Sequence, residues 1–190
     1  MKSASILFLL ALVPFLFGQE NSKGTISLTF NDEQINLPIN KVSLQKDEGI
    51  VLRFEANNED AEIQQMVSIQ IGLKKLSPGK DAETLQGTRL DIYTRNNKTK
   101  TGRDLSIWLD DRETDNEMSK AEGIHYSIFN KGERVSWEIN AVSLKIDITE
   151  VMYVDEELQI SGKLEGNFKS TLAPEGQIAE IKECKFNIKI

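Results

Sequence analysis

The sequence predicts an all-β fold, an antiparallel β-sandwich or barrel of about ten strands. Three observations predict it. Apolar residues recur at every second position in one segment after another, turn-forming residues separate those segments at short spacing, and no long stretch keeps a 3.6-residue period with helix caps. Alternation of this kind gives a strand one dry and one wet face, as antiparallel sheets require.

The chain opens with Lys2 and then an apolar run over residues 6–17, broken only by Pro14. One positive charge, a short apolar stretch and the small Gly18 at its end fit a cleavable export signal over residues 1–18. The run is shorter than the about 20 apolar residues of a spanning helix, so no stable membrane anchor is expected. A lipid anchor would need a cysteine at the cleavage point, and Gln19 stands there. Residues 19–190 are then expected to form a single β-sandwich or barrel domain, exported to a periplasm or secreted.

The strands follow in order. Ile26, Leu28 and Phe30 alternate with Thr25, Ser27 and Thr29. Ile35, Leu37 and Ile39 occupy odd positions, but Val42 and Leu44 occupy even ones, so a bulge or bend is expected near Asn40 and Lys41. Pro38 has no N–H for a ladder, which predicts an edge position for this strand. Ile50, Leu52, Phe54 and Ala56 predict the next strand. Residues 56–65 read as a loop or short helix that Asn58 can cap. Val67, Ile69, Ile71 and Leu73 hold one phase, and Ser77, Pro78 and Gly79 mark a turn.

Further on, Leu105, Ile107 and Leu109 share a phase that leaves Trp108 opposite. Asn130, Lys131, Gly132 and Glu133 form a turn in which Gly132 can take a positive φ. Val135, Trp137 and Ile139 alternate, as do Val142, Leu144, Ile146 and Ile148. Leu158, Ile160, Gly162, Leu164, Gly166 and Phe168 form one arm of a terminal hairpin; Cys184, Phe186, Ile188 and Ile190 form the other. Glycine at 162 and 166, on the apolar phase, leaves room for a bulky neighbour or marks a bend.

Ser161-Gly162-Lys163-Leu164-Glu165-Gly166-Asn167-Phe168, followed by Ile181-Lys182-Glu183-Cys184-Lys185-Phe186-Asn187-Ile188, resembles the closing hairpin of exported, β-rich bacterial proteins of no assigned activity. Cys184 stands where those proteins carry a glycine. The resemblance covers the last hairpin alone. It implies an antiparallel sandwich or barrel and transfers no catalytic residue.

The formal net charge of −7 works against binding nucleic-acid backbones and anionic membrane surfaces, so no nucleic-acid partner is expected. The single cysteine, Cys184, cannot form an internal disulfide and shares an apolar phase, where it reads as a small buried hydrophobe. The single histidine, His125, lies on a polar phase with no nucleophile motif nearby, and reads as a solvated strand residue. One His and one Cys supply too few ligands for an ordinary zinc site.

The candidates for chemistry are few. Asp111, Glu113 and Asp115 alternate like the start of a calcium loop, with Glu122 at the twelfth position. Asn116 stands where such a loop has glycine, and the flanks read as strands, so a solvated acidic loop is the weightier reading. No cofactor is expected, with calcium at this loop as the alternative. Trp108 and Phe129, each out of phase with its apolar neighbours, are the candidate ligand-binding residues. The expected function is a non-enzymatic exported β module acting by binding or as a structural part of the envelope, with a small ligand, a glycan or a protein as partner. The alternatives are a small-ligand or carbohydrate-binding sandwich or barrel and a carboxylate-dependent glycosidase. The sugar readings predict a face carrying Trp108 and two close carboxylates.

Overall fold

A computed structural model describes residues 22–46, 49–58, 61–73, 84–109, 121–139, 141–170 and 176–190. Every regular element among them is a β-strand: β1 (Gly24–Phe30), β2 (Glu33–Lys46), β3 (Ile50–Asn57), β4 (Ile63–Leu73), β5 (Thr84–Asn96), β6 (Thr101–Leu109), β7 (Ala121–Asn130), β8 (Glu133–Glu138), β9 (Ala141–Val154), β10 (Glu157–Lys169) and β11 (Gln177–Lys189). All pair antiparallel in one 11-stranded sheet, in the order β8-β7-β6-β5-β4-β3-β2-β1-β11-β10-β9. The fold is all-β, and the sheet is not closed: β8 and β9, consecutive in the chain, are its two edges.

The sheet curls around one apolar core. Each strand sends alternate residues inward, and those of β1 to β7 and of β9 to β11 meet in a single buried cluster. Phe30 on β1 packs edge-to-face on Tyr126 of β7, with ring centroids 6.2 Å apart, although six pairing steps separate these strands in the sheet. Phe54 on β3 meets Phe186 on β11 at 5.0 Å. One face is therefore enclosed and the other faces solvent.

Turn chemistry sets the register. Asn31 (φ 47°) and Asp32 (φ 65°) form the two-residue turn between β1 and β2. Positive φ at both positions matches the twist of the flanking strands, and Asn and Asp tolerate it best after glycine. Lys131 and Gly132, and Asp155 and Glu156, repeat the arrangement. Asn31 also ties the turn to distant strands. Its Nδ2 donates to Tyr126 Oη (3.0 Å) and to the Ile178 carbonyl (3.1 Å), and its Oδ1 accepts from the Glu180 amide (2.7 Å).

The phase flip in β2 is a bulge, with the register shifting between Ile39 and Lys41. The edge position expected from Pro38 is corrected: β2 lies between β1 and β3. Pro38 is tolerated because the pairing changes there. Residues 33–38 pair with β1, and pairing with β3 begins at Ile39. The missing N–H falls where β2 passes from one partner to the other.

The short helix that residues 56–65 allowed is also absent among the described residues. A tight connection stands there, with Asn58 Oδ1 accepting from the Gln65 amide (2.6 Å) and Asn58 Nδ2 donating to the Ile63 carbonyl (3.2 Å). The capping chemistry of Asn58 closes a hairpin instead of starting a helix.

The terminal hairpin is formed by β10 and β11, with Gly162 opposite Phe186. Cys184 is buried and free, and burial pushes its thiol up to about 12 from an ordinary 9.0. At pH 8 the native thiol is expected to resist a chromogenic disulfide reagent and to react once urea unfolds the chain, because only the thiolate attacks. Rapid labelling of the native protein would contradict this burial. Since the native state holds the proton more tightly, this group's stabilising contribution is complete below pH about 9 and is lost as pH rises toward 12.

Candidate functional site

The outward face of β5, β6, β7 and β8 carries the densest set of aromatic, basic and acidic side chains. Register aligns them in rows across the strands. Arg89, Trp108 and Gly123 form one row, and Asp91, Ser106 and His125 the next. Tyr93, Asp104, Ser127 and Ser136 form the third; Arg95, Gly102, Phe129 and Arg134 form the fourth. Trp108 and Phe129, singled out separately by phase, thus share one face. Trp108 is 42% exposed.

Each row has a physical reason. Gly123 lets the indole lie down on β7, since a Cβ there would stand 2.8 Å from Trp108 Cε3. Arg89 reaches over the same ring, with Cζ 5.1 Å from its centroid, while its Nε and Nη2 donate to Asp91 at 2.6 and 3.2 Å. Ser106 Oγ donates to Asp91 Oδ1 at 2.7 Å, so both Asp91 oxygens are engaged.

At the other end, Arg95 Cζ lies 4.6 Å from the Tyr93 ring centroid and 4.9 Å from that of Phe129, and Arg134 Cζ lies 5.3 Å from Phe129. Exposed contacts of this type contribute about 0.5–1 kcal/mol each. Arg134 Nε donates to Ser127 Oγ (3.0 Å), and its Nη2 lies 3.4 and 3.5 Å from the two ring nitrogens of His125.

Asp104 sits in the middle. Its Oδ2 is 4.0 Å from Arg95 Nη2, and its Oδ1 is buried with no hydrogen-bond partner among the described residues. Burial raises the carboxyl above its ordinary value, against the pull of the charges on Arg95, Arg134 and His125. Burial likewise raises the Tyr93 phenol. A buried carboxylate oxygen left without a donor is costly, while the Asp104 side chain as a whole keeps 25% of its surface exposed.

Ser127, His125 and Asp104 are neighbours, but their contacts are those of a structural network. Ser127 Oγ is fully buried, accepts from Arg134 and lies 3.1 Å from Ser136 Oγ; its distance to His125 Nδ1 is 3.4 Å. A nucleophile needs an exposed oxygen with a base as its proton acceptor. Asp111, Glu113 and Asp115, the candidate calcium ligands, lie outside the described residues.

Sequence reasoning missed Asp104 and the arginine ladder. Asp104 falls on the polar phase like many other acidic residues, and only pairing with β5 and β7 puts it between Tyr93 and Ser127. Comparison with known proteins gives no match: no protein-family model, no curated protein and no solved structure aligns with the chain.

Proposed function

We propose that this is an exported binding module that holds a carbohydrate against the outward face of β5 to β8. The observation that carries the reading is the exposed Trp108 indole, on a face that also brings Tyr93, Phe129, Arg95 and Arg134 together beside the partly exposed Asp104 carboxylate. A sugar offers hydroxyl donors for the exposed part of that carboxylate, hydroxyl acceptors for the arginines and apolar C–H faces for exposed rings. Two of the three arginines on the face are offset by carboxylates, Arg89 by Asp91 and Arg95 by Asp104.

Binding is favoured over hydrolysis by the state of the carboxylates. Glycoside cleavage needs two carboxyl groups free to act as acid and base or nucleophile. Asp91 and Asp104 share the face with Trp108, but Asp91 is saturated by Arg89 and Ser106. It serves to orient Arg89 over the indole. The leader-like residues 1–18 support export, and this face supports the choice of partner.

The test is retention on immobilised polysaccharides: β-glucan, xylan, chitin and alginate. The wild type is expected to bind at least one of them. Trp108→Ala and Asp104→Asn are each expected to weaken that binding about tenfold or more, as loss of a central contact does, with little change in melting temperature. Unchanged retention in both variants, or no retention of the wild type on any of the four, would overturn the proposal.

A further inference from the structure

One end of the enclosed face combines exposed apolar side chains with buried polar atoms that have no hydrogen-bond partner among the described residues. The inward row there runs Gln65, Thr94, Arg103, Ile128 and Val135 across β4 to β8. Arg103 shares its phase with the buried Leu105 and Ile107, so its side chain projects to the inner side of the sheet. Arg103 Nη1 and Thr94 Oγ1 are both buried without a hydrogen-bond partner among the described residues, and Thr94 is only 7% exposed. The two residues are direct partners in the β5–β6 ladder. A guanidinium donor and a hydroxyl donor are thus left side by side.

Two neighbouring polar groups have partners of their own. Tyr126 Oη is held by Asn31 Nδ2, and Glu33 Oε1 accepts from Gln65 Nε2 at 3.2 Å. Several inward apolar positions toward this end are uncovered. Ile63 is 43% exposed and Val135 54%, while Ile128 is only partly buried against the core. The inward residues further along the same strands, Ile69, Ile92, Leu105 and Ile107, are buried almost completely, so the interior approaches solvent at this end. Two unpaired donors beside uncovered apolar side chains suit a ligand with one oxyanion and one hydrocarbon part.

We propose that Arg103 and Thr94 bind the carboxylate of a small amphiphile, whose alkyl chain lies along Ile128 and Val135 toward the β8 edge. A planar guanidinium matches a carboxylate in shape and charge. The proposal stands independently of the carbohydrate reading, which concerns the opposite face of the same strands.

Calorimetry on the full chain tests it, with decanoate as probe, decanol as its uncharged counterpart, and acetate and inorganic phosphate as head groups without a chain. Decanoate is expected to bind saturably at one site, decanol about tenfold or more weakly, and acetate and phosphate not measurably. Arg103→Met is expected to weaken decanoate binding about tenfold or more, and Arg103→Lys less, since it keeps the charge but loses the fork. Thr94→Val preserves side-chain volume and carries the test if Arg103→Met fails to fold; it too is expected to weaken binding. Absence of decanoate binding would mean that water satisfies these atoms. Equal binding of decanol, equal binding of phosphate, or wild-type affinity in both Arg103→Met and Thr94→Val would also overturn the proposal.

Discussion

Phe30→Ala is expected to lower stability by about 3–5 kcal/mol, the usual cost of emptying a buried phenylalanine site. In a domain of this size that lowers the melting temperature by about 6–20 °C. Phe30 has no solvent exposure, and its ring meets Tyr126 edge-on. The contact joins β1 to β7 and therefore holds the curl itself. Urea unfolding of the variant is expected to show a lower midpoint with little change in slope. A double-mutant cycle with Tyr126→Leu separates ring pairing from simple burial. A coupling of about 0.5–1.5 kcal/mol is expected for an aromatic pair. A cost below about 1 kcal/mol for Phe30→Ala would show that β1 and β7 do not face each other across the core.

Gly162→Ala should have the second-largest effect. A Cβ at Gly162 would stand 2.1 Å from Phe186 Cζ, far inside van der Waals contact. The ring cannot retreat easily, because Phe54 packs against it at 5.0 Å. Overpacking of this kind costs about 1–3 kcal/mol and sometimes more. The diagnostic result is rescue: adding Phe186→Leu to Gly162→Ala is expected to recover part of the loss, although Phe186→Leu alone destabilises. If the two losses simply add, Gly162 is not making room for that ring.

Much of the strand content was legible because each strand buries one face. Ile26, Leu28 and Phe30, and Leu52, Phe54 and Ala56, are inward as their alternation requires. The bulge in β2 was legible for the same reason, since an extra residue must change which positions are buried. Pro38 was misread because the rule against proline in interior strands considers one strand alone. It cannot see pairing pass from β1 to β3 at that residue.

Strand order was not legible. Alternation says which face of a strand is dry and nothing about which strand lies beside it. The candidate site shares that limit. The outward exposure of Trp108 followed from its phase, but its meeting with Arg89, and that of Phe129 with Arg95 and Arg134, depends on the β5–β6–β7–β8 register. Arg103 illustrates the point differently. Its inward phase was readable from Leu105 and Ile107, but the lack of a partner for Nη1 emerges only when the opposing strands are in place.

The most direct measurement of the binding reading uses the two indoles as reporters. Trp108 lies on the outward face, and Trp137 packs inward, stacked on Tyr126 at 5.6 Å. Each gives its own indole N–H signal in a two-dimensional nitrogen–proton NMR spectrum, and Trp137→Phe assigns them. On titration with a soluble oligosaccharide of the polysaccharide that retains the protein, the Trp108 signal is expected to shift to saturation while that of Trp137 stays in place. A Trp108 signal that does not move, or a shift confined to Trp137, would contradict a carbohydrate site on the outward face of β5 to β8.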